Sequence, residues 1–261
     1  MRAETQAVVA ELERVSGLQV QIVPVHDLGV MATITASPHV TGSYVISYRP
    51  GVPFKDYLVA SECSHVLRIL SLPQSERFQF TTNSATANWG MELMKRFSKR
   101  SQRSVPPEPA LMTFADHLVQ GLLGQLRSTP IGMRVDASLA ADYPSLADEQ
   151  AGSLAVQQKE ALSCLSPQVR AMAPDEIVSA NILLNATHAL FCDRLLGTTQ
   201  FQVPYAASGF KDLGERLVGI FDDVPAGPSS DRALVDAWAR EIGLDGKYKW
   251  VPLPPADQRA P

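Results

Sequence analysis

Several features are scarce in this sequence, and each absence argues against a class of protein. Only three cysteines occur in 261 residues, at Cys63, Cys164 and Cys192, and no C-x-x-C pair is present. This odd, widely spaced set predicts neither a disulfide framework nor a thiolate zinc finger, so reduced and mostly buried thiols are expected. Glycine-rich phosphate loops, dinucleotide fingerprints and a recognisable nucleophile elbow are also missing, which argues against a nucleotide-dependent enzyme.

Long apolar runs are absent as well. No run approaches the length needed to cross a bilayer, and the first residues, MRAETQAVVAELERV, alternate charged with apolar residues instead of forming a signal peptide core. The sequence therefore predicts a cytoplasmic protein with no membrane partner. A net charge of -4 gives no global reason to expect nucleic acid as a partner. Hydrophobic residues make up 45% of the chain, enough to bury a sizeable core.

The most informative stretch is YLVASECSHVLRIL, from Tyr57 to Leu70, which is predicted to form one amphipathic helix. At helical pitch Ser61 and His65 lie one turn apart on one face, and Glu62 lies beside His65 at a spacing of three. In metallopeptidases, an H-E-x-x-H helix presents two zinc-binding histidines and a glutamate that activates water. Here Glu62 and the second histidine are in place, but Ser61 replaces the first histidine.

The elements predicted before this helix follow a definite order. An amphipathic helix over about Ala3–Ser16 comes first, and three strand-like runs follow at Leu18–Val25, Val30–Ala36 and Ser43–Tyr48. This order, together with the text ASECSHVLRIL, resembles the minimal zincin domain of the ImmA/IrrE family of small metallopeptidases. The resemblance implies an α+β fold: a zincin-like domain of helix, three-stranded sheet and motif helix, followed by a mostly α-helical C-terminal half.

We place the zincin-like domain at residues 1–100 and expect a linker at residues 101–109. A basic cluster at 95–103 runs into a proline pair through which no helix would continue. A solvated linker is favoured over a nucleic acid contact, because a single aromatic residue, Phe97, and no glycine interleave the basic ones. Residues 110–223 are expected to form a helical region packing on the first domain, and residues 224–261 a short helix and a proline-rich tail.

The resemblance also has consequences for a metal. A catalytic zinc needs three protein ligands and an open position for water. By resemblance, Glu62 is the candidate general base and His65 the candidate second zinc ligand. Because a serine hydroxyl is a poor zinc ligand beside imidazole, Ser61 in the first ligand's place should weaken or abolish zinc binding.

The remaining zinc ligand, which the family takes from an acid on a later helix, has three candidates. Asp136 follows the turn STPIG and is expected to open a helix. Glu92 lies on the next predicted helix, over Ser84–Ser98. Glu176 begins a long predicted helix within the text DEIVSAN and ranks behind the other two.

That long helix, predicted over Asp175–Leu196, carries a polar stripe. Asn181, Asn185, His188 and Cys192 recur at spacings of four, three and four on an otherwise apolar helix. The stripe is either a polar surface lining a pocket that faces the motif helix or a set of buried residues hydrogen-bonded between helices.

Three functions are compatible with these observations. The favoured one is a pseudopeptidase, in which a zincin cleft persists and binds a protein or peptide partner while hydrolysis is lost. The second is an active zinc peptidase with an atypical ligand set, and the third is an α-rich interaction protein in which Glu62 and His65 form a hydrogen-bonded pair. The family resemblance implies a role in stress, mobile-element or defence regulation, with a DNA-binding transcriptional regulator as the candidate partner.

Overall fold

The computed structural model of the protein describes residues 1–36, 42–100 and 107–254. Its elements are mostly helices, with one three-stranded and one two-stranded sheet, so the predicted α+β fold class is confirmed. None of the described helices has the length and apolar content that crossing a membrane requires. Most of the predicted linker, the last of the basic residues in the 95–103 cluster and the end of the predicted tail lie outside the described residues.

The chain forms two compact units, each built from separate segments of sequence. The first, here called the N-terminal unit, combines the described residues of 1–78 with 132–157 and 252–254. The second, here called the helical unit, combines residues 79–131 with 158–251.

These boundaries differ from the predicted domain limits near residues 100, 110 and 223. The physical reason is that a segment far along the chain joins the first elements. Val135, Leu139 and Leu146 are each at most 2% exposed and belong to the hydrophobic core of the N-terminal unit. A long-range apolar contact of this kind leaves no local signal in the sequence.

The N-terminal unit begins with a helix, three strands and a second helix, in the predicted order. They are α1 (Ala3–Ser16), β1 (Gln19–Pro24), β2 (Ala32–Ala36), β3 (Ser43–Tyr48) and α2 (Lys55–Leu70). The bounds of α1 and β3 agree with the prediction, and the others differ by at most two residues at either end. Helix α1 ends where Gly17 adopts the left-handed conformation, with φ of 71°, a backbone geometry that favours glycine.

The three strands form one mixed sheet in the order β1-β3-β2. The central strand β3 is parallel to β1 and antiparallel to β2, with Ile46 opposite both Ile22 and Ile34. Because residues paired directly across neighbouring strands point to the same face of a sheet, these three isoleucines lie on one side. There they pack with Leu12 of α1 and Val59 of α2, which holds the motif helix α2 against β2 and β3.

The longest element is α4 (Glu108–Asp142), a helix of 35 residues. The predicted turn STPIG and the predicted helix start at Asp136 are both wrong, because α4 continues through Pro130. A proline inside a helix removes one backbone hydrogen bond and costs about 3 kcal/mol. The boundary between the two units falls just beyond this proline, between Ile131 and Gly132, so α4 contributes residues to both units.

The remaining helices of the described chain follow the predicted helical character of the second half. They are α3 (Ser84–Arg100), α5 (Ala147–Ala161), α6 (Pro167–Arg170), α7 (Asp175–Leu196), α8 (Val203–Ala207), α9 (Lys211–Asp223) and α10 (Asp231–Glu241). The bounds of α7 agree with the prediction, and its end is set by Gly197 in the left-handed conformation.

Two short strands, β4 (Phe78–Thr81) and β5 (Lys249–Pro252), pair with each other although neither was predicted. The Phe80 ring stacks on Tyr248 with ring centroids 4.5 Å apart. The Tyr248 hydroxyl also donates to the Asp236 carboxylate at 2.6 Å. The start of the predicted proline-rich tail is therefore held in place by aromatic packing and a hydrogen bond at Tyr248.

Candidate functional site

The candidate site lies on α2, and an acid from α5 fixes the first turn of this helix. The backbone N–H groups of Asp56 and Tyr57 donate to the Glu149 carboxylate at 2.9 and 3.1 Å. The first turn of a helix has N–H groups without helical partners and a partial positive charge, so a carboxylate there is stabilising. Arg2 holds the same carboxylate in an ion pair at 3.0 Å. Residues from distant parts of the sequence thus position the start of α2.

Asp136 of α4 is bonded to the same helix. Its carboxylate accepts a hydrogen bond from the Tyr57 hydroxyl at 2.5 Å. Tyr57, Ser61 and His65 follow one another at intervals of four residues, so they lie along one stripe of α2. Asp136 is only 6% exposed, and burial raises its pKa to about 6. The Gln150 amide donates to the Asp136 backbone carbonyl at 2.9 Å, so Asp136 is a buried, hydrogen-bonded residue near the C-terminal end of α4.

Glu62, the candidate general base, faces the sheet. Its carboxylate accepts a hydrogen bond from the backbone N–H of Ile34 in β2. Burial raises the pKa of Glu62 above its usual value, and this hydrogen bond opposes the rise by stabilising the ionised form. The motif carboxylate is therefore held at strand β2, in surroundings that favour its neutral form.

The geometry of β2 explains why the Ile34 N–H is directed toward Glu62. The Arg49 N–H donates to the Met31 carbonyl at 2.8 Å, and hydrogen-bonded pairs alternate with non-hydrogen-bonded pairs along antiparallel strands. Ala32 and Ile34 consequently direct their backbone groups away from β3. Since β2 is an edge strand of the described sheet, these groups face outward, and Glu62 takes the outward N–H of Ile34.

The donor set does not fit a zinc site with three protein ligands. Ser61 and His65 are both partly buried on α2, and the hydroxyl is a poor zinc ligand. The Asp136 carboxylate already accepts the Tyr57 hydroxyl. Within residues 1–36, 42–100 and 107–254, no three or more His, Cys, Asp or Glu side chains form a group that could hold a metal ion. We therefore derive no chemical step through a metal, and impaired zinc binding stays a prediction.

Cys63, which lies within the motif, belongs to the hydrophobic core. It is 0% exposed, and burial, together with the nearby Glu62 and Glu13 carboxylates, raises its pKa to about 12. A thiol with so high a pKa is neither a ready nucleophile nor a ready metal ligand. Cys164 and Cys192 are also free and buried, which confirms the expected burial of all three thiols.

The other two candidate acids, Glu92 and Glu176, belong to the helical unit and are exposed. Glu176 pairs with Arg96 at 3.2 Å, and the neighbouring Asp175 pairs with Arg100 at 2.6 Å. Two members of the basic cluster therefore lie against the acidic start of α7. Exposed pairs of this kind contribute about 0–1 kcal/mol each.

The polar stripe of α7 is hydrogen-bonded between helices of the helical unit. The Asn181 amide donates to the Gln125 side chain of α4 at 2.7 Å, and the Gln125 amide donates to Asn185 at 2.8 Å. His188 lies 2.9 Å from the Gln158 amide, and burial lowers the pKa of His188 to about 4. His188 is therefore a neutral imidazole at physiological pH. Asn181 also lines a pocket of the helical unit, whereas no other stripe residue does.

Sequence reasoning missed the groups that position the site, namely Tyr57, Glu149 and the Ile34 N–H. Tyr57 lies on the stripe that contains Ser61 and His65, and this spacing could have singled it out. The contribution of Glu149 has no such signal, since this residue lies 93 positions after Asp56.

No family model matches the chain, and the searches of curated proteins and of solved structures also give no match.

Proposed function

We propose that the N-terminal unit is a degenerate zincin-like groove that has lost peptidase activity and binds an extended segment of a protein partner. The observation that carries the proposal is the outer edge of β2, where the backbone groups of Ala32 and Ile34 face away from β3 while α2 packs against the same strand. The Ile34 backbone also lowers the pKa of the Glu62 carboxyl, in line with a motif carboxylate beside this edge. An edge of the described sheet beside a motif helix is suited to the addition of one further strand.

The backbone of β2 supplies the groups with which such a segment would pair. Ala32 directs both its N–H and its C=O outward, and Ile34 directs its C=O outward beside the N–H that Glu62 occupies. A segment that adds here gains affinity from main-chain hydrogen bonds, while side-chain pockets provide sequence preference. The α2 face that carries Ser61 and His65 is the source of selectivity in this proposal.

The loss of hydrolysis is supported by the chemistry of the motif. Ser61 takes the place of an imidazole ligand, and the buried Asp136 carboxylate is engaged by Tyr57. A partner is therefore retained rather than cleaved. The natural partner class, given the family resemblance, is a transcriptional regulator in stress, mobile-element or defence control.

Strand addition can be tested with peptides selected from a displayed library for binding to the whole protein. Ala32→Pro removes an outward N–H at the first residue of β2, a strand position that tolerates proline. Ala32→Val keeps that N–H and serves as the matched control. We expect Ala32→Pro to weaken binding about tenfold in a fluorescence anisotropy titration, which is about 1.4 kcal/mol, and Ala32→Val to change it little. Equal affinities for the two variants would contradict strand addition.

An active zinc peptidase is the second candidate. It is favoured by the position of Glu62 three residues before His65 on α2, and by burial, which raises the pKa of Glu62 and makes its carboxylate a stronger proton acceptor. Two measurements separate the peptidase from the degenerate groove. They are elemental analysis of protein purified without chelator and a casein hydrolysis assay. Near-stoichiometric zinc and a turnover that Glu62→Gln abolishes would establish the peptidase. In a degenerate groove, wild-type protein carries little zinc and Ser61→His increases the zinc content, whereas Ser61→Ala does not.

A further inference from the structure

A pocket of about 260 Å³ opens in the helical unit among α4, α6 and α7. Its floor is apolar and buried, because Leu122, Cys164, Ala173 and Ile177 are 3%, 6%, 6% and 5% exposed. Its mouth is formed by exposed residues, among them His117. The pocket therefore has an apolar, buried floor and an exposed rim with a polar side chain, which is the usual construction of a small-molecule site.

Small side chains create this space. Gly121 lines the pocket where neighbouring positions of α4 carry leucine, and a Cβ placed at Gly121 would meet no atom within 4 Å. Glycine is unfavourable in the interior of a helix, so its presence there needs a reason other than helix stability. Cys164 and Ala173, with similarly short side chains, extend the space inward.

Two hydrogen-bond donors border the pocket. The Asn181 amide has two N–H groups, and among the described residues it donates one hydrogen bond, to Gln125 at 2.7 Å. The imidazole of His117 supplies a second donor at the mouth. An acceptor oxygen entering the pocket can therefore be fixed at Asn181 or at the rim, while its apolar body contacts the floor.

We propose that this pocket binds a small molecule with a compact apolar body, larger than benzene and smaller than a typical drug, that ends in one acceptor oxygen. The volume sets the size. An engineered apolar cavity of about 150 Å³ holds benzene, whereas pockets for drug-sized ligands begin at about 300 Å³. A medium-length alkyl carboxylate or alcohol meets both requirements, and the two share the acceptor chemistry.

The proposal can be tested on the full chain by isothermal titration calorimetry with octanoate, 1-octanol and butylbenzene, each below its aggregation limit. Gly121→Leu adds a large side chain at a position that lines the pocket and where a Cβ meets no atom within 4 Å, and it also improves helix propensity. Gly124→Leu makes the same change on the same helix, also into open space, at a position that does not line the pocket. Circular dichroism confirms that both variants keep the wild-type helix content.

We expect octanoate or 1-octanol to bind the wild type and Gly124→Leu with similar affinities, below about 1 mM, and Gly121→Leu at least tenfold more weakly. Butylbenzene, which lacks an acceptor oxygen, should bind at least threefold more weakly than the better of the other two. The ligand that binds more tightly identifies the oxygen as anionic or neutral. Absence of binding to the wild type, equal affinities of the two leucine variants, or equally tight binding of butylbenzene would each overturn the proposal.

Discussion

The buried carboxyl of Asp136 should make the stability of the N-terminal unit depend on pH, and Asp136→Asn isolates this effect. The pKa of Asp136 is about 6 in the folded protein, because burial disfavours its ionised form. An unfolded chain has an aspartate pKa of about 3.9. The folded state consequently binds this proton more tightly than the unfolded state does.

The sign follows from proton linkage. Below about pH 4 the carboxyl is protonated in both states, and the favourable contribution of the neutral group is fully present. As the pH rises from about 4 to about 6, the unfolded state loses the proton first, so the free energy of unfolding falls. A difference of about two pKa units corresponds to about 3 kcal/mol of the free energy of unfolding, and nearly all of it has been lost once the pH exceeds about 6.

Asparagine is nearly isosteric with aspartate, cannot ionise and can still accept the Tyr57 hydroxyl. We therefore expect the stability difference between Asp136→Asn and wild type to shift in favour of the variant by about 3 kcal/mol between pH 4 and pH 8. Urea denaturation followed by circular dichroism across this range measures it, and subtracting the wild-type curve cancels the other titrating groups. A flat difference would refute the burial argument. A shift in the opposite direction in zinc-loaded protein would indicate instead that Asp136 binds metal as a carboxylate.

Three further perturbations test contacts around the site and the packing of the helical unit. Glu149→Ala should lower the free energy of unfolding by about 1–2 kcal/mol, because the N–H groups of the first turn of α2 lose their carboxylate acceptor. If chemical denaturation gives this variant the same stability as wild type, Glu149 does not cap α2. At pH 8, Glu62→Gln should be at least as stable as wild type, because it removes a desolvated charge but keeps an acceptor for the Ile34 N–H. Glu62→Ala keeps no acceptor and should lower the free energy of unfolding by about 1–2 kcal/mol. If thermal unfolding shows the alanine variant to be more stable than the glutamine variant, Glu62 does not accept this hydrogen bond. Gly90→Ala should lower the free energy of unfolding by about 1–3 kcal/mol, because its Cβ would lie 2.9 Å from Val119 Cγ2. Gly124→Ala, whose Cβ meets open space, should raise it by up to about 1 kcal/mol. Equal denaturation midpoints for the two variants would argue against close packing of α3 on α4.

Local sequence patterns predicted the elements whose signals are local. Helices α1 and α7 combine apolar periodicity with a terminal glycine, and the structure ends them at Gly17 and Gly197. The prediction failed at Pro130, where the general rule that proline ends a helix was outweighed by the burial of α4 before and after it, at Leu126 and Met133. Strands β4 and β5 were missed for a different reason, since each is four residues long and its partner lies far away in the sequence.

The candidate site could be predicted only in part. The spacing of Ser61, Glu62 and His65 follows from helix geometry alone, and the structure keeps it. The partners of these residues do not follow, because the Ile34 N–H depends on strand register, and the Tyr57–Asp136 bond joins residues 79 positions apart. Asp136 was chosen as an acid near a turn, whereas the structure shows it buried within a continuous helix.

The divided sequence of the N-terminal unit also constrains how it is made. When Phe78 leaves the ribosome, α2 still lacks Glu149 at its first turn and the core still lacks Val135, Leu139 and Leu146. At ordinary translation rates of about 5–20 residues per second, these groups emerge roughly 3–14 s later. A nascent chain arrested before residue 132 should therefore expose apolar surface and recruit chaperones, and a truncated gene that ends near residue 100 should yield an aggregation-prone product.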